Sequence, residues 1–226
     1  MIATEQRNPK TMHLDQMTSL EIAQVMNEEN AYSVASLEPV LPQVAQAIDK
    51  IAEAFSKGGR LFYIGAGTSG RLAVVDASEC PPTFSVPSDM VQGVIAGGDK
   101  AIRSSVEGAE DNFEQGFEDA SMLNHDDVAV VISASGNPKY LLGVLQRAEE
   151  VGCKTIGITC NSRGRIAEEA GLVICVEVGP EVIAGSSRLK AGTAQKMILN
   201  MLSTGAMIKI GKTYENFMID LQAVNE

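Results

Sequence analysis

The sequence predicts an α/β fold in which a parallel sheet is covered by helices. The first observation is a series of five short apolar runs, at 61–64, 91–96, 127–134, 154–160 and 172–178. The second is that helical stretches separate and follow these runs, at about 70–78, 100–120, 138–151, 163–170 and 189–210. The third is that most runs are apolar at consecutive positions, as in strands buried on both faces. This alternation is typical of βαβ units with parallel strands.

The first 57 residues are predicted to be helical. Thr18 and Glu21 form a capping-box pattern before an apolar stretch. Apolar residues then recur every three or four positions, which is the spacing of one stripe on an amphipathic helix: Leu41, Val44, Ile48, Ile51 and Phe55. Gly58 and Gly59 predict its end. We therefore expect an N-terminal helical arm over 1–57 and an α/β domain over 58–226, with the arm packed on that domain or on a partner subunit.

The composition disfavours nucleic acid, membranes and metal ions as partners. The chain has 226 residues with 18 Lys and Arg against 29 Asp and Glu, a net charge of −11 and a sequence pI of about 4.7. This balance disfavours nucleic acid and anionic membranes as main partners. The sequence has no signal-peptide pattern and no apolar run of the roughly 20 residues that a membrane span needs. Four cysteines without C-x-x-C spacing predict reduced thiols and a cytoplasmic location, and two distant histidines disfavour a metal site.

Three loops rich in small polar residues follow predicted strands or lead into the last helix: 65–70, 133–137 and 185–196. Ligands of open parallel sheets bind at the carboxyl ends of the strands, where such loops meet. Glycine backbone N–H groups, hydroxyls, a cation and a helix N-terminus together suit a phosphate. The candidate binding residues are Gly67, Thr68, Ser69, Ser133, Ser135, Gly136, Ser186, Ser187 and Lys190.

A nucleotide site is the alternative interpretation of the first loop. Residues 65–70 match G-x-G-x-x-G, the dinucleotide fingerprint, and Asp99 follows the second apolar run. A single match of this kind is weak, and each serine taken alone is explained by a turn or a helix cap. A Walker-type site is disfavoured, because that motif requires a lysine after its second glycine and this chain has Arg71 there. The three loops together favour a compact monophosphate ligand.

Carboxylates near these loops are candidates for acid–base chemistry. Glu79 precedes Pro81 and Pro82, which predict that the chain leaves the helix there and holds Glu79 on a fixed bend. A helix-terminal ion pair explains Glu79 about as well as catalysis does. Glu107 and Glu110 are three positions apart and share one face if their segment is helical, and a solvated acidic face explains that spacing.

The chain resembles the N-acetylmuramic acid 6-phosphate etherase family of the sugar isomerase (SIS) superfamily. The resemblance lies in IGAGTSGRL, DASECPPTF, VEGAED, SSRLKAGTAQK and LNMLSTGAMIK, and in RNP at 7–9. It implies a three-layer α/β/α sandwich with a five-stranded parallel sheet, a homodimer, and no metal or cofactor. It also implies cleavage of the lactyl ether of N-acetylmuramate 6-phosphate to N-acetylglucosamine 6-phosphate and D-lactate in cytoplasmic cell-wall recycling. Glu79 and Glu110 match the active-site glutamates of the family. The resemblance therefore implies that Glu110 is catalytic and not part of a solvated acidic face.

Two departures from the family pattern are visible. The family commonly has SGRTPY where this chain has SGNPKY at 135–140, so the arginine and the threonine are missing and Lys139 lies nearby. The sequence given stops at Glu226, and the usual C-terminal helical extension is expected to be absent. Three rival functions stay open on the sequence: a non-catalytic sugar-phosphate sensor such as the glucokinase regulatory protein, an aldose–ketose phosphate isomerase and an NAD-dependent enzyme.

Overall fold

The computed structural model describes residues 3–220 and has the α/β architecture that the sequence predicts. Five parallel strands form the central sheet: β1 Leu61–Gly65, β2 Val91–Ile95, β3 Val128–Ser133, β4 Lys154–Thr159 and β5 Leu172–Cys175. The helices are α1 Ser19–Ala35, α2 Leu41–Ser56, α3 Gly67–Phe84, α4 Asp99–Arg103, α5 Phe113–Asp119, α6 Lys139–Val151, α7 Arg165–Glu169 and α8 Lys190–Lys209. A short hairpin, β6 Thr213–Tyr214 and β7 Phe217–Met218, follows α8.

The sheet order is β2-β1-β3-β4-β5, and every neighbouring pair is parallel. Successive side chains of a strand point to opposite faces of the sheet. Accordingly, Leu61 and Tyr63 of β1 join one buried cluster, with α2, α3 and α8, while Phe62 and Ile64 join another, with α6. The two clusters make this a three-layer α/β/α sandwich, and they explain why the strand sequences are apolar at consecutive positions.

The N-terminal helices belong to the layer that contains α8. The predicted capping box is confirmed, because the Thr18 hydroxyl accepts the N–H of Glu21 while the Glu21 carboxylate accepts the N–H of Thr18. Of the stripe on α2, Val44, Ile51 and Phe55 are buried in the core cluster shared with α8, whereas Ile48 is half-buried and Leu41 is exposed. Helix α1 packs on α8. The boundary of the predicted arm at residue 57 stays a prediction.

Two local predictions were wrong. The first was that Pro81 and Pro82 end the helix, whereas α3 continues through both and ends at Phe84. A proline lacks the N–H for the bond to the carbonyl four residues earlier and its ring crowds that carbonyl, so it weakens a helix without always ending it at once. Here both prolines lie in the last turn, and Ser85 then ends the helix with a left-handed φ of 47°. Glu79 therefore lies within a helix and not on a bend.

The second wrong prediction was one helical segment over 100–120. The chain instead forms α4, an irregular stretch, a 3-10 turn at Ala109–Asp111 and then α5. Gly108 adopts a left-handed φ of 72°, which interrupts any helix between α4 and the turn. Glu107 and Glu110 consequently do not share a helical face.

No helix within residues 3–220 combines the length and the apolar character that crossing a membrane requires.

Helices α5 and α6 approach each other closely because glycines without a Cβ lie at their contact. A Cβ on Gly116 would lie 1.8 Å from the carbonyl oxygen of Tyr140, and one on Gly143 would lie 2.1 Å from that of Phe113. We expect Gly143→Ala to lower the free energy of unfolding by about 1–3 kcal/mol, because the two backbones must separate. Urea denaturation measures this change.

Gly192→Ala in α8 is the matched control, since the nearest atoms to its Cβ lie at an ordinary 3.5 Å. Alanine also favours a helix over glycine by about 1 kcal/mol, so the control is expected to be neutral or stabilising. Equal destabilisation by the two substitutions would contradict the backbone contact as the cause.

Candidate functional site

A cavity of about 170 Å³ lies at the carboxyl ends of β1 and β3. The sheet order reverses here, since β2 lies on one side of β1 and β3 on the other. Such a switch point is where open parallel sheets bind ligands. The lining residues are Thr4, Glu5, Ala66, Gly67, Thr68, Ser69, Glu110, Ile132, Ser133, Ala134, Ser135, Pro138, Gly185 and Ser187.

The first loop brings the N-terminus of α3 to this cavity. The chain passes from β1 to α3 between Gly65 and Gly67, and a Cβ on Gly65 would lie 2.7 Å from the nitrogen of Gly70. A Cβ on Gly70 would lie equally close, at 2.7 Å, to the Gly65 carbonyl oxygen. The outer glycines of G-x-G-x-x-G are thus explained by this tight turn without a dinucleotide. The first N–H groups of an α-helix lack intrahelical acceptors, and they favour an anion at Gly67, Thr68 and Ser69.

The hydroxyl of Ser69 is directed away from its expected use. Its Oγ donates to Oε1 of Gln195 in α8 at 2.9 Å, and both side chains are buried. This bond ties the start of α3 to α8. Ser69 therefore contributes to the cavity wall and to the row of backbone N–H groups, while its hydroxyl hydrogen is engaged inside the protein.

The second loop is held by its own serines. Oγ of Ser133 accepts the N–H of Gly136 at 3.0 Å and lies 3.3 Å from Oγ of Ser135, which also accepts the N–H of Asn137 at 3.4 Å. Gly136 has a φ of 73°, and a Cβ there would lie 2.9 Å from Oγ1 of Thr159. Ser133 and Ser135 line the cavity, whereas Gly136 shapes the loop behind them.

The third loop contributes one of its two serines. Ser187 and Gly185 line the cavity, while Ser186 is not among the lining residues. The N–H of Gly185 donates to the carbonyl oxygen of Thr4 at 2.9 Å, which fixes the N-terminal segment against this loop. Sequence patterns did not single out Thr4 or Glu5, because only this long-range contact brings them to the site.

The side chain of Lys190, a predicted phosphate-binding residue, points into the protein and not into the cavity. Its side chain is 2% exposed and its ammonium forms an ion pair with Glu29 at 2.5 Å. The predicted role as a phosphate cation is therefore corrected, because the charge is already neutralised inside the protein. Among the described residues, those that line the cavity include no Lys, Arg or His.

The two predicted catalytic glutamates lie in different places. Glu110 is exposed and lines the cavity, and Glu107 lines a separate depression instead. Glu79 is also exposed, but it lies twelve positions after Gly67 along α3, which is about 18 Å along the helix axis. One chain therefore brings only Glu110 to the serine loops.

Thiol and metal chemistry find little support in the described residues. Burial raises the pKa of the Cys80 thiol, next to Glu79, to about 12, which keeps it protonated and unreactive. Among residues 3–220, no group of three His, Cys, Asp or Glu side chains is arranged to hold a metal ion. What the arrangement can do is hold a small anion through backbone N–H groups and hydroxyls beside a carboxylate, Glu110.

Comparison with protein families matches two overlapping models. Residues 43–149 match the glucokinase regulatory protein N-terminal SIS domain, and residues 104–205 match the SIS domain. The chain is 53% identical over 227 residues to the N-acetylmuramic acid 6-phosphate etherase of Glaesserella parasuis serovar 5, covering 100% of this chain and 75% of the relative. It is also 53% identical over 227 residues to the enzyme of that name from Pasteurella multocida, with the same coverage.

Solved structures share the fold at low sequence identity. A phosphoheptose isomerase from Francisella tularensis aligns with a TM-score of 0.62 at 19% identity, covering 85% of this chain and 100% of that one. The Vibrio vulnificus NanR protein complexed with ManNAc-6P aligns with a TM-score of 0.58 at 14% identity, covering 86% and 65%. These likenesses place the chain among proteins with the same sheet and helices.

The two serines of the third loop provide a paired test of the cavity. We expect Ser187→Ala to weaken binding of inorganic phosphate by about tenfold, because one hydrogen bond to a charged group is lost. Ser186→Ala is the matched control and is expected to change the affinity less than about twofold, within the scatter of surface changes. Isothermal titration calorimetry measures both dissociation constants, and an equal loss in the two variants would contradict the assignment of Ser187.

Proposed function

This chain belongs to the N-acetylmuramic acid 6-phosphate etherase family, and on that premise we propose that it is a carbon–oxygen lyase. It cleaves the D-lactyl ether of N-acetylmuramic acid 6-phosphate and releases N-acetylglucosamine 6-phosphate and D-lactate. The observation that carries the proposal for this chain is the position of Glu110 in one cavity with the N-terminus of α3 and the serine loops.

The reaction proceeds by β-elimination and water addition. In the ring-opened sugar, C1 is an aldehyde that acidifies the proton on C2. A carboxylate removes that proton, the C3–oxygen bond breaks, and lactate leaves with a proton from a general acid. Water then adds across the C2–C3 double bond, with its oxygen on C3 and a proton on C2. Two carboxyl groups that exchange protons in this way supply general acid–base catalysis.

Binding of the phosphate positions the reacting carbons. Its oxygens accept hydrogen bonds from the N–H groups of Gly67, Thr68 and Ser69, with hydroxyls from Ser135 and Ser187. The dipole of the 18-residue helix α3 favours the phosphate dianion at the N-terminus of the helix. This contribution matters because no cation lines the cavity among the described residues. Binding energy from this remote group holds C2 and C3 beside the glutamates.

Glu79 is the acid/base at the ether, and Glu110, which lines the cavity of its own chain, is its partner base. A hexosamine phosphate is shorter than the axial separation of about 18 Å between Gly67 and Glu79 on α3. We therefore assign the Glu79 of each site to a second copy of the chain, so that a homodimer contains two shared sites.

An apolar face on α2 and α8 supports the dimer. A groove of about 590 Å³ is lined by residues of both helices. Its lining includes Leu41, Val44, Ile48, Met197, Met201 and Ile208. On the neighbouring helix α3, Val75 is 55% exposed and lies one turn before Glu79. Leu41 and Ile208 are exposed at the rim of the groove, and a second copy of the chain would cover them. The cytoplasmic recycling of cell-wall sugars completes the proposal and rests on the family.

The first test replaces Glu110. We expect Glu110→Gln to lower kcat for lactate release by about 10²–10⁴-fold, because the amide cannot exchange a proton. The measurement is D-lactate formed from N-acetylmuramate 6-phosphate. Glu107→Gln is the matched control, since its carboxylate lies three residues earlier and outside the cavity, and it is expected to keep the parent rate. Lactate release that survives both Glu79→Gln and Glu110→Gln would rule out this mechanism.

The second test mixes the two inactive variants. In a shared-site dimer, co-expression of Glu79→Gln with Glu110→Gln makes about half of the dimers mixed, each with one intact site and one doubly altered site. About a quarter of the parent activity is therefore expected to return. Sites built within one chain would recover nothing, and that result would contradict the assignment of Glu79 to a second copy.

The product separates the rival functions. Isomerisation leaves the substrate mass unchanged, whereas etherase activity lowers the mass of the sugar phosphate by the lactyl group. A sensor binds the sugar phosphate without releasing lactate. Nicotinamide cofactor binding by calorimetry would favour the dinucleotide interpretation of the first loop.

A further inference from the structure

A buried polar network joins the N-terminal segment to the third loop, and none of its members lines the cavity. At its centre Glu29 of α1 is 4% exposed and accepts hydrogen bonds from Lys190 at 2.5 Å and from Nδ2 of Asn8 at 2.8 Å. Lys10 reaches the second oxygen of Glu29 from the solvent side at 3.0 Å. The proposed chemistry uses none of these groups.

Three donors keep the carboxylate at the centre of this network ionised. Burial by itself raises the pKa of Glu29, but hydrogen bonds from Lys190, Lys10 and Asn8 outweigh it and hold the pKa below its ordinary value. The opposite charges of Glu29 and Lys190 neutralise each other, and the Lys190 ammonium also lies 5.2 Å from the centre of the Tyr32 ring, where a cation–π contact adds to the pair. The pair therefore has one well-defined geometry.

This geometry is transmitted to the third loop through the backbone. Nδ2 of Asn8 also donates to the carbonyl oxygen of Pro180 at 3.2 Å, and Oγ1 of Thr11 donates to that of Val182 at 2.8 Å. Further along, the Thr4 carbonyl accepts the N–H of Gly185. Three bonds from residues 4–11 thus hold the segment that ends at Ser187.

The other end of the loop is fixed by the start of α8. The buried carboxylate of Glu181 accepts the N–H groups of Lys190 and Ala191 at 2.9 and 3.0 Å and so caps the helix. The hydroxyl of Ser33 donates to the carbonyl oxygen of Lys190 at 2.9 Å. Ser187 consequently lies between two anchored points. The bonds from Asn8, Thr11 and Thr4 hold the first, and Glu181, Ser33 and the Lys190–Glu29 pair hold the second.

We propose that Asn8 is a positioning residue of the phosphate site, which together with the buried Glu29–Lys190 pair holds Ser187 and Thr4 at the cavity. This rests on the proposed function in taking that cavity as the phosphate site. Asn8 touches no substrate. It acts by joining one buried carboxylate to one loop carbonyl, a bridge that requires both hydrogens of an amide nitrogen.

The test compares substitutions of Asn8, Thr11 and Lys10. In Asn8→Ala, we expect KM for the sugar phosphate and the dissociation constant for inorganic phosphate to rise about tenfold, since displacement of Ser187 removes one charge-assisted bond. The value of kcat is expected to stay within about threefold, because Glu110 is held by a different segment. Hydrogen exchange at the N–H of Gly185 is expected to accelerate.

Lys10→Met is the matched control. It contacts the same carboxylate, but its side chain is 57% exposed, so water replaces the contact and KM is expected to change less than about twofold. Thr11→Val removes a different bond to the same loop with little change of volume. It keeps the test decisive if Asn8→Ala does not fold, and KM is expected to rise in it as well.

The outcomes separate the two proposals. Unchanged KM and phosphate affinity in both Asn8→Ala and Thr11→Val, even with a lowered melting temperature, would overturn the positioning role and leave it purely structural. Absence of lactate release from the parent protein would instead overturn the proposed function, and the phosphate dissociation constants would still test the positioning role. A rise in KM and in the phosphate dissociation constant without a comparable fall in kcat supports the positioning role of Asn8.

Discussion

The position of β1 between β2 and β3 is the constraint on which the site depends. Because the chain leaves β1 for one neighbour and returns on the other side for β3, two loops separate at the carboxyl edge and leave a cavity between them. The tight approach of Gly65 to Gly70 then turns α3 so that its N-terminus faces this cavity. The serine loops and Glu110 add to a site whose location is determined by the sheet.

An acidic chain can hold a phosphate when the binding groups are dipoles. The net charge is −11, and the described residues that line the cavity include no cation. Backbone N–H groups and hydroxyls provide fixed partial charges that need no reorganisation, whereas a free lysine would have to be held in place. Lys190 instead forms a buried pair with Glu29, where its charge contributes to the geometry of the third loop.

The sequence alone determined the features that depend on local patterns. The five strands and most of the helices between them follow from apolar runs and spacing, although the segment over 100–120 is broken into α4, a 3-10 turn and α5, and the capping box of α1 follows from two residues three positions apart. The three polar loops could be identified because they come directly after strands or lead into a helix. A resemblance spread over several motifs made Glu79 and Glu110 the catalytic candidates, which spacing could not distinguish from surface carboxylates, and their role stays a prediction.

The tertiary structure decided every feature that joins distant parts of the chain. It paired Lys190 with Glu29, 161 positions apart, brought Thr4 to the third loop, and separated Glu79 from Glu110. It also let α3 continue through Pro81 and Pro82. The physical reason is the same in each case: local sequence sets the preference of a segment, but packing and buried hydrogen bonds between segments determine which of its polar groups remain free to bind a ligand.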